Sequence, residues 1–496
     1  MNTTYPALIV LAPLFGALIC SFFSWGAKKL CYPTALISLI ISCFAAFKVL
    51  TQVLDTGVLQ YHMAGWMPPM GIEYRIDLLN ASVLMLITAI ALVNLVASFE
   101  SINQETKEKA ESFYSIYLLF VTGLTGVTAT GDLFNLYVLL EITSLTSYAQ
   151  IAMGDKDRAP LASLNYVFIG VIGASFYLLG VGYLYIMTGS LNMLDVASLL
   201  PALHGSTAVL IAFIFCMLGI WIKMALFPLH VWLPNAYTYA PTAVSRIISP
   251  LMTKVMVYVM VRLMITVFGF EYIFEKLDLS AAVVWVATIA ILAGAIMAMA
   301  QKDLKKMLTY VIVCEIGYMV GGAWLGNELG MTGAILHIIN DALMTFALFL
   351  AVGNMIYKLK NVKYDNLQGL FGKMPWTMAG FVLGAFSIIG IPPTCGFFSK
   401  WYLILGALEK GAYHFAGALI ISSLLCAVLF FRIFEISFFN PKDENHDAEH
   451  ADHPAIVMAE APVSMLIPLG LVSISLILTG LYSNTIVNNI ILPFLQ

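Results

Sequence analysis

Five side chains in this sequence could hand protons through an apolar matrix: Glu141, Lys223, Lys254, His337 and Lys400. Each stands nearly alone in a long apolar run. Glu141 lies in GDLFNLYVLLEITSL, Lys223 in GIWIKMALFPLHVWLP, Lys254 in SPLMTKVMVYVMVR, His337 in LHIINDALMTF and Lys400 in GIPPTCGFFSKW. A charge at the centre of a bilayer costs at least about 2.5–3.5 kcal/mol on insertion scales, so a retained one faces a protein interior or a wet cavity. Burial drives a carboxylate and an ammonium toward their neutral forms, and a neighbouring opposite charge drives each back. A buried Glu–Lys pair can therefore exchange protonation when a third charge moves, which is the chemistry of a proton relay; a static buried salt bridge is the alternative. Histidine suits the middle of such a relay because its unperturbed pKa lies near neutrality. His230, Glu315 (in YVIVCEIGYM) and Asp341 are further candidates. His337, Asp341 and Thr345 follow one another at i, i+4 and i+8, so they share one helix face.

These groups need helices that are apolar outside and interrupted inside. Proline removes a backbone donor and clashes with the preceding turn. Pro228 and Pro234, flanking His230, predict a break just after Lys223, and Pro392 and Pro393 predict another about eight residues before Lys400. Broken helices within a membrane turn backbone carbonyls and amides toward a cavity and commonly build binding sites. The two breaks lie five spans apart, which suggests a five-helix repeat; because five is odd, its second copy must insert upside down. Arg246, Lys254 and Arg262 are spaced by eight residues, so each step turns about 80° and climbs about 12 Å, giving a polar ladder with Tyr258.

Composition fixes the solvent. The chain has 496 residues, 61% hydrophobic and 10% charged, with a mean hydropathy of +0.91. An ordinary soluble domain carries about 25% charged residues. So few charges cannot dress a soluble surface, and the chain is an integral membrane protein rather than a cytosolic enzyme, a disordered scaffold or a nucleic-acid binder. The net charge of −4 implies no polyanionic partner. Apolar runs of membrane-spanning length occur near 6–25, 32–54, 78–99, 113–130, 133–152, 161–187, 207–229, 241–266, 281–300, 307–325, 331–357, 376–399, 413–438 and 464–484. They predict an all-α polytopic fold of about fourteen transmembrane helices. The first is expected to be a retained span rather than a signal peptide.

With the N-terminus outside, fourteen of the 24 Lys and Arg fall in inside loops, Lys28, Lys156, Lys305 and Lys360 among them, and three (Arg75, Lys276 and Lys410) in outside loops. By the positive-inside rule both termini then lie outside the cytoplasm of a prokaryotic cell. Seven remain within or at the edges of spans. Of these, Lys48 and Arg432 read as snorkelling side chains. The seven cysteines are scattered with no CxxC pair and read as small packing residues. Residues 55–77 read as an outer cap, 101–112 as a polar connection, and the acidic, His-rich 440–455 as a solvated loop, although His446 and His450 have the spacing of a helical metal site. No nucleotide loop, metal motif or nucleophile triad is present, so no cofactor is expected.

The same segments, with GIEYRIDLLNA and HVWLPNAYTYAPTAVSRIISPLMTKV, make the chain similar to the antiporter-like family shared by respiratory complex I, membrane-bound hydrogenases and Mrp-type cation/proton antiporters. The likeness runs from about residue 60 to 435 and is nearest to the D-type Mrp subunits. It implies fourteen helices, two inverted five-helix repeats (113–266 and 281–438) between three leading helices (1–112) and a closing loop and helix (439–496), and broken helices seven and twelve. It assigns Glu141 to the glutamate of helix five, Lys223, Lys254 and Lys400 to the lysines of helices seven, eight and twelve, and His337 to the histidine of helix eleven. Two positions depart from the pattern. Many relatives have a lysine near Thr345, and Gln is expected where Glu315 stands. Glu315 could add a proton site or pair with a partner subunit.

The resemblance implies a proton-translocating subunit of a multisubunit membrane complex, with Na⁺/H⁺ antiport the first reading. A pump module of a redox complex is the second, and a scaffold with a vestigial axis the third. Expected partners are other membrane subunits, protons, monovalent cations and the lipid bilayer.

Overall fold

The computed structural model describes residues 4–106, 109–439 and 459–495; His446 and His450 lie outside them. Among the described residues, twelve helices are long and apolar enough to cross a membrane. Two further elements occupy the remaining expected spans: Leu133–Ala152, and the broken pair Pro375–Ile389 and Cys395–Glu409. In chain order they are α1 (Tyr5–Phe23), α2 (Cys31–Thr56), α3 (Leu78–Glu105), α4 (Ala110–Ala129), α5 (Leu133–Ala152), α6 (Ala159–Thr188), α7 (Thr207–Met224 and Trp232–Tyr239), α8 (Thr242–Phe268), α9 (Ser280–Met299), α10 (Leu304–Trp324), α11 (Glu328–Leu359), α12 (Pro375–Ile389 and Cys395–Glu409), α13 (Tyr413–Phe438) and α14 (Val463–Leu481).

The protein is an all-α polytopic membrane protein, and its layers follow from where its charges go. In α8, α10 and α11, 89–94% of the apolar window is buried, against 39–44% in α1, α2, α6, α13 and α14. The outer helices turn Phe22, Phe168, Leu424 and similar side chains outward. A helix apolar on every side is at home against lipid, and the helices carrying Lys254, Glu315 and His337 are the ones shielded from it.

Local chemistry sets the helix ends. Asp77 caps α3 in a capping box with Asn80, and Asp132, Asp303 and Asn327 cap α5, α10 and α11 with their side-chain oxygens. The region read as an outer cap is a hairpin, β1 (Leu59–His62) antiparallel to β2 (Glu73–Ile76). It docks on the α4–α5 junction, where Gly131 donates its N–H to Glu73 O at 2.9 Å.

Some boundaries differ from expectation. Residues 101–105, read as connection, continue α3 as helix, and Glu105 Oε2 accepts the Thr242 N–H at the start of α8 (2.7 Å). In α7 the break spans 225–231, and Pro234 sits in the first turn of the second half, where its missing N–H costs nothing. The predicted twelfth span, 376–399, ends as helix at Ile389, and Lys400 lies inside the second half rather than past the helix end. A short helix, Met193–Leu199, lies outside the predicted spans, and a C-terminal helical segment, Ser483–Leu495, runs on past the last of them. Both are too short for a spanning pattern.

One set of contacts occurs twice. Leu133 donates its N–H to Leu191 O (2.9 Å) and Met193 to Gly131 O (2.9 Å). Leu304 donates to Val362 O (3.0 Å) and Tyr364 to Lys302 O (3.1 Å), each 171 positions later. The left-handed residues closing α6 and α11, Gly189 and Lys360, share that offset. Ala225 and Gly390, which close the first halves of α7 and α12 in the left-handed region, are 165 apart.

Candidate proton-conducting axis

The first centre forms where α5 meets the break in α7. Glu141 and Ser144 lie about one turn apart on α5 and face Lys223, next to last in the first half of α7. Lys223 Nζ donates to Glu141 Oε1 at 3.0 Å and to Ser144 Oγ at 2.7 Å. The Lys223 side chain is fully buried, whereas that of Glu141 is 23% exposed. The pair therefore joins a shielded ammonium to a partly exposed carboxylate.

The second centre joins α8 to α11. Lys254 Nζ lies 2.9 Å from Asp341 Oδ2 and donates to Thr345 Oγ1 (3.3 Å) and Ser249 O (3.2 Å). Thr345 donates in turn to Asp341 Oδ1 (2.8 Å). Thr345 thus supports the aspartate and touches the lysine at once.

The third centre joins α10, α11 and α12. His337 Nε2 lies 2.7 Å from Glu315 Oε2, and its Nδ1 lies 2.8 Å from Ser399 Oγ. The next residue, Lys400, donates to Ile388 O across the α12 break (2.5 Å) and to Ser423 Oγ (3.2 Å). Its ammonium also sits 4.9 Å from the centroid of the Tyr318 ring. Among the described residues no carboxylate lies within ion-pair distance of Lys400, unlike Lys223 and Lys254. Glu315 does not face a partner subunit, an alternative its sequence position left open; it is buried within this chain, where its Oε2 meets His337.

The second and third centres share a backbone. His337 and Asp341 are one turn apart on α11, an axial step of about 6 Å. Among the described residues no hydrogen bond joins Lys223 to Lys254. His230 lies in the α7 break but not at Lys223. Its ring packs against Phe227 (centroids 5.1 Å apart) and Tyr310 (6.3 Å).

The expected ladder on α8 resolves into three separate attachments, because 80° steps point each residue at a different neighbour. Arg246 is fully buried and is held by Ala97 O (3.0 Å), Leu350 O (3.2 Å) and Asn354 Oδ1 (2.8 Å). Lys254 pairs with Asp341, and Arg262 grips Asp77 with two bonds of 2.6 and 3.0 Å. Burial pushes the Asp77 carboxyl up, but Arg262 and the two backbone amides at the α3 cap outweigh it and hold it below the usual range. Lys305, read as a loop residue, is buried in the first turn of α10 and donates to Ala240 O (2.7 Å). It lines a cavity of about 230 Å³ with Glu105, Lys156 and Lys360. Sequence reasoning also missed Ser144, Ser399 and Tyr318. The only available signal was their spacing of three from Glu141 and Glu315, or adjacency to Lys400.

Comparison with known proteins agrees with this arrangement. The family model for NADH:quinone oxidoreductase/Mrp antiporter transmembrane proteins matches residues 130–426. An N-type NADH-quinone oxidoreductase subunit of Desulforudis audaxviator is 41% identical, over 99% of this chain and 98% of its own. A D-type Na(+)/H(+) antiporter subunit of Bacillus subtilis is 29% identical, over 93% of each chain. A putative antiporter subunit mnhD2 of Staphylococcus aureus is 32% identical, over 88% of this chain and 86% of its own. A chain of the membrane-bound sulfane sulfur reductase, an archaeal respiratory membrane complex, superposes with a TM-score of 0.89 at 27% identity, covering 98% of this chain and 96% of that one. A chain of the Mrp complex from Dietzia sp. DQ12-45-1b gives 0.87 at 24% identity, with the same coverage. A family match over the central 130–426, with relatives above 30% identity along nearly the whole length, means that this chain belongs to the NADH:quinone oxidoreductase/Mrp antiporter transmembrane family and is an antiporter-like subunit of such membrane complexes.

Proposed function

We propose that this subunit moves protons through the membrane along Glu141, Lys223, Lys254, His337 and Lys400, in exchange for Na⁺. The observation that carries the reading is a set of three acid–base pairs held within the chain: Asp341–Lys254 and Glu315–His337 are fully buried in the helices most shielded from lipid, and Glu141–Lys223 has a buried lysine and a partly exposed glutamate. Removing one partner of a buried pair strands the other at a cost of about 3–5 kcal/mol, so three such pairs are a poor way to hold a scaffold together. A proton arriving at one pair changes the field at the next, which is the coupling a relay requires. Relatives named as D-type Na(+)/H(+) antiporter subunits support the cation.

A second reading, a pump module driven by redox chemistry in neighbouring subunits, is favoured by the 41% identity to an NADH-quinone oxidoreductase subunit. Both readings use one axis and differ in what drives it.

We infer further that 113–266 and 281–438 are inverted five-helix repeats. The recurrence of the α5–α6 contacts in α10–α11 at a constant offset supports this, because five crossings separate them. The excess of Lys and Arg in alternate loops supports both termini lying outside the cytoplasm of a prokaryotic cell.

The test is proton and ²²Na⁺ movement in vesicles holding the complete complex. Lys223→Ala and Glu141→Ala are expected to abolish both while the protein stays in the membrane. Activity untouched by either substitution would leave only the scaffold reading. An imposed Na⁺ gradient moving protons without electron donors identifies an antiporter, and movement only on addition of a reductant identifies the redox pump.

A further inference from the structure

The two offsets that relate the halves allow the second half to be read position by position against the first. At the α5–α6 offset of 171, the position equivalent to Glu141 is Ile312, and the position equivalent to Ser144 is Glu315. The position equivalent to Tyr166 of α6 is His337 of α11. At the offset of 165 that relates the broken helices, the position equivalent to Lys223 is Ile388. Ser144 is the hydroxyl that Lys223 touches, and Ile388 is the carbonyl that Lys400 touches. The second half thus has neither member of the Glu141–Lys223 pair at the equivalent positions, and like groups arrive from other positions. The amine comes back across the break from Lys400, and the carboxylate enters at the Ser144 site.

From this juxtaposition we propose that Glu315 is the proton-accepting carboxylate of the second half, sharing a single proton with His337 beside Lys400. The inference rests on the proton-relay reading above and names a residue that carries it. The geometry is complete at atom level. His337 Nδ1 contacts Ser399 Oγ at 2.8 Å, and Nε2 contacts Glu315 Oε2 at 2.7 Å. When a proton binds Nδ1, the proton on Nε2 passes to Oε2: one N–H bond forms, one N–H bond breaks and one O–H bond forms. The histidine ends neutral and the carboxylate ends as the acid. No net charge is then left on either side chain, although a proton has been taken up. What the histidine adds is passage: a proton received at the ring face beside Ser399 is delivered to Glu315 from the opposite face. Among the described residues no group donates to Glu315 Oε1, which is buried on the same carboxylate.

The surrounding titratable groups are few. Tyr318 and Cys314 face this centre from α10, Asp341 lies one turn along α11, Lys400 stands on α12 and Cys426 on α13. The only fixed positive charge among them is Lys400, whose own acceptors are a carbonyl and a serine. Lys400 therefore senses whether the Glu315–His337 unit is anionic or neutral, and the proton state of the second half is written by Glu315.

The experiment compares Glu315→Gln, His337→Gln, the double variant and Lys223→Ala in vesicles holding the complete complex, reading proton movement from pH 6 to 9. Glu315→Gln is expected to lower the rate about tenfold or more and to displace the pH profile by about one unit, with normal content of the protein in the membrane. His337→Gln should do the same, and the double variant should be no worse than either single one, because both remove one shared proton. The inference is overturned if Glu315→Gln keeps the wild-type rate and profile while Lys223→Ala is inactive, or if the two single losses multiply in the double variant. If Glu315→Gln fails to reach the membrane, His337→Gln decides alone, and an unchanged profile overturns the inference. An active Lys223→Ala would instead defeat the relay reading itself.

Discussion

In α7 the lysine precedes the break, and in α12 it follows it. Lys223 meets a glutamate and a serine on α5, while Lys400 reaches backward over the gap to the carbonyl of Ile388. The breaks end their first halves alike, with a left-handed residue at Ala225 and at Gly390. The six-residue reverse bond recurs too, from Leu226 N–H to Trp221 O and from Ile391 N–H to Phe386 O. Glycine enters the left-handed region without penalty and alanine does not. The shape of the break is thus kept while the charge has moved from one side of it to the other. The backbone fixes where an amine can be solvated, and side-chain placement is free to vary around that point.

The largest expected effect probes whether both halves conduct. Lys223→Ala and Lys400→Ala should each cut proton movement about tenfold or more in the assembled complex; full activity in Lys400→Ala would remove the second half from the path. Next comes stability, where the centres should separate. Lys254→Ala strands the fully buried Asp341 and should cost about 3–5 kcal/mol, read as a lowered melting temperature of the purified complex. Lys254→Ala with Asp341→Asn should recover much of that loss. Lys400→Ala strands no paired carboxylate and should cost about 1 kcal/mol.

Gly353→Ala tests the packing between the halves. A methyl group there would run into the Arg246 guanidinium, and overpacking of this kind costs about 1–3 kcal/mol. A melting temperature equal to wild type would show that Arg246 can shift. The smallest effect concerns the Arg262–Asp77 clamp outside the axis. Asp77 is held below its ordinary value, so its contribution is complete above an unfolded pKa of about 3.9 and is lost as pH falls through the lower folded value. Melting curves between pH 3 and 6 should show an acid-side fall that Arg262→Gln removes.

Much of this molecule was legible in its residues. Isolated charges in apolar runs marked Glu141, Lys223, Lys254, His337 and Lys400, because nothing but function or pairing retains a charge in lipid. Proline marked both breaks. Pairing was harder to see. Asp341 and Glu315 stood out as buried acids, but which base each would meet depends on packing between helices far apart in sequence, such as α8 against α11. Lys305 looked like any loop lysine at the end of a span. Only the fold of α3, α7 and α10 around it shows that Ala240 and Glu105 enclose it. The hairpin in 55–77 escaped because its strands are four residues each, too short for an alternating pattern to register.

The helix α11 has 32 residues and no proline, so nothing breaks its backbone hydrogen-bond ladder between the caps while α7 and α12 are interrupted. It works as a peg-board: His337, Asp341 and Thr345 stand along one face, the first meeting Glu315 and the other two meeting Lys254. Exchanging a side chain on that face changes which groups meet there without moving the frame that holds them.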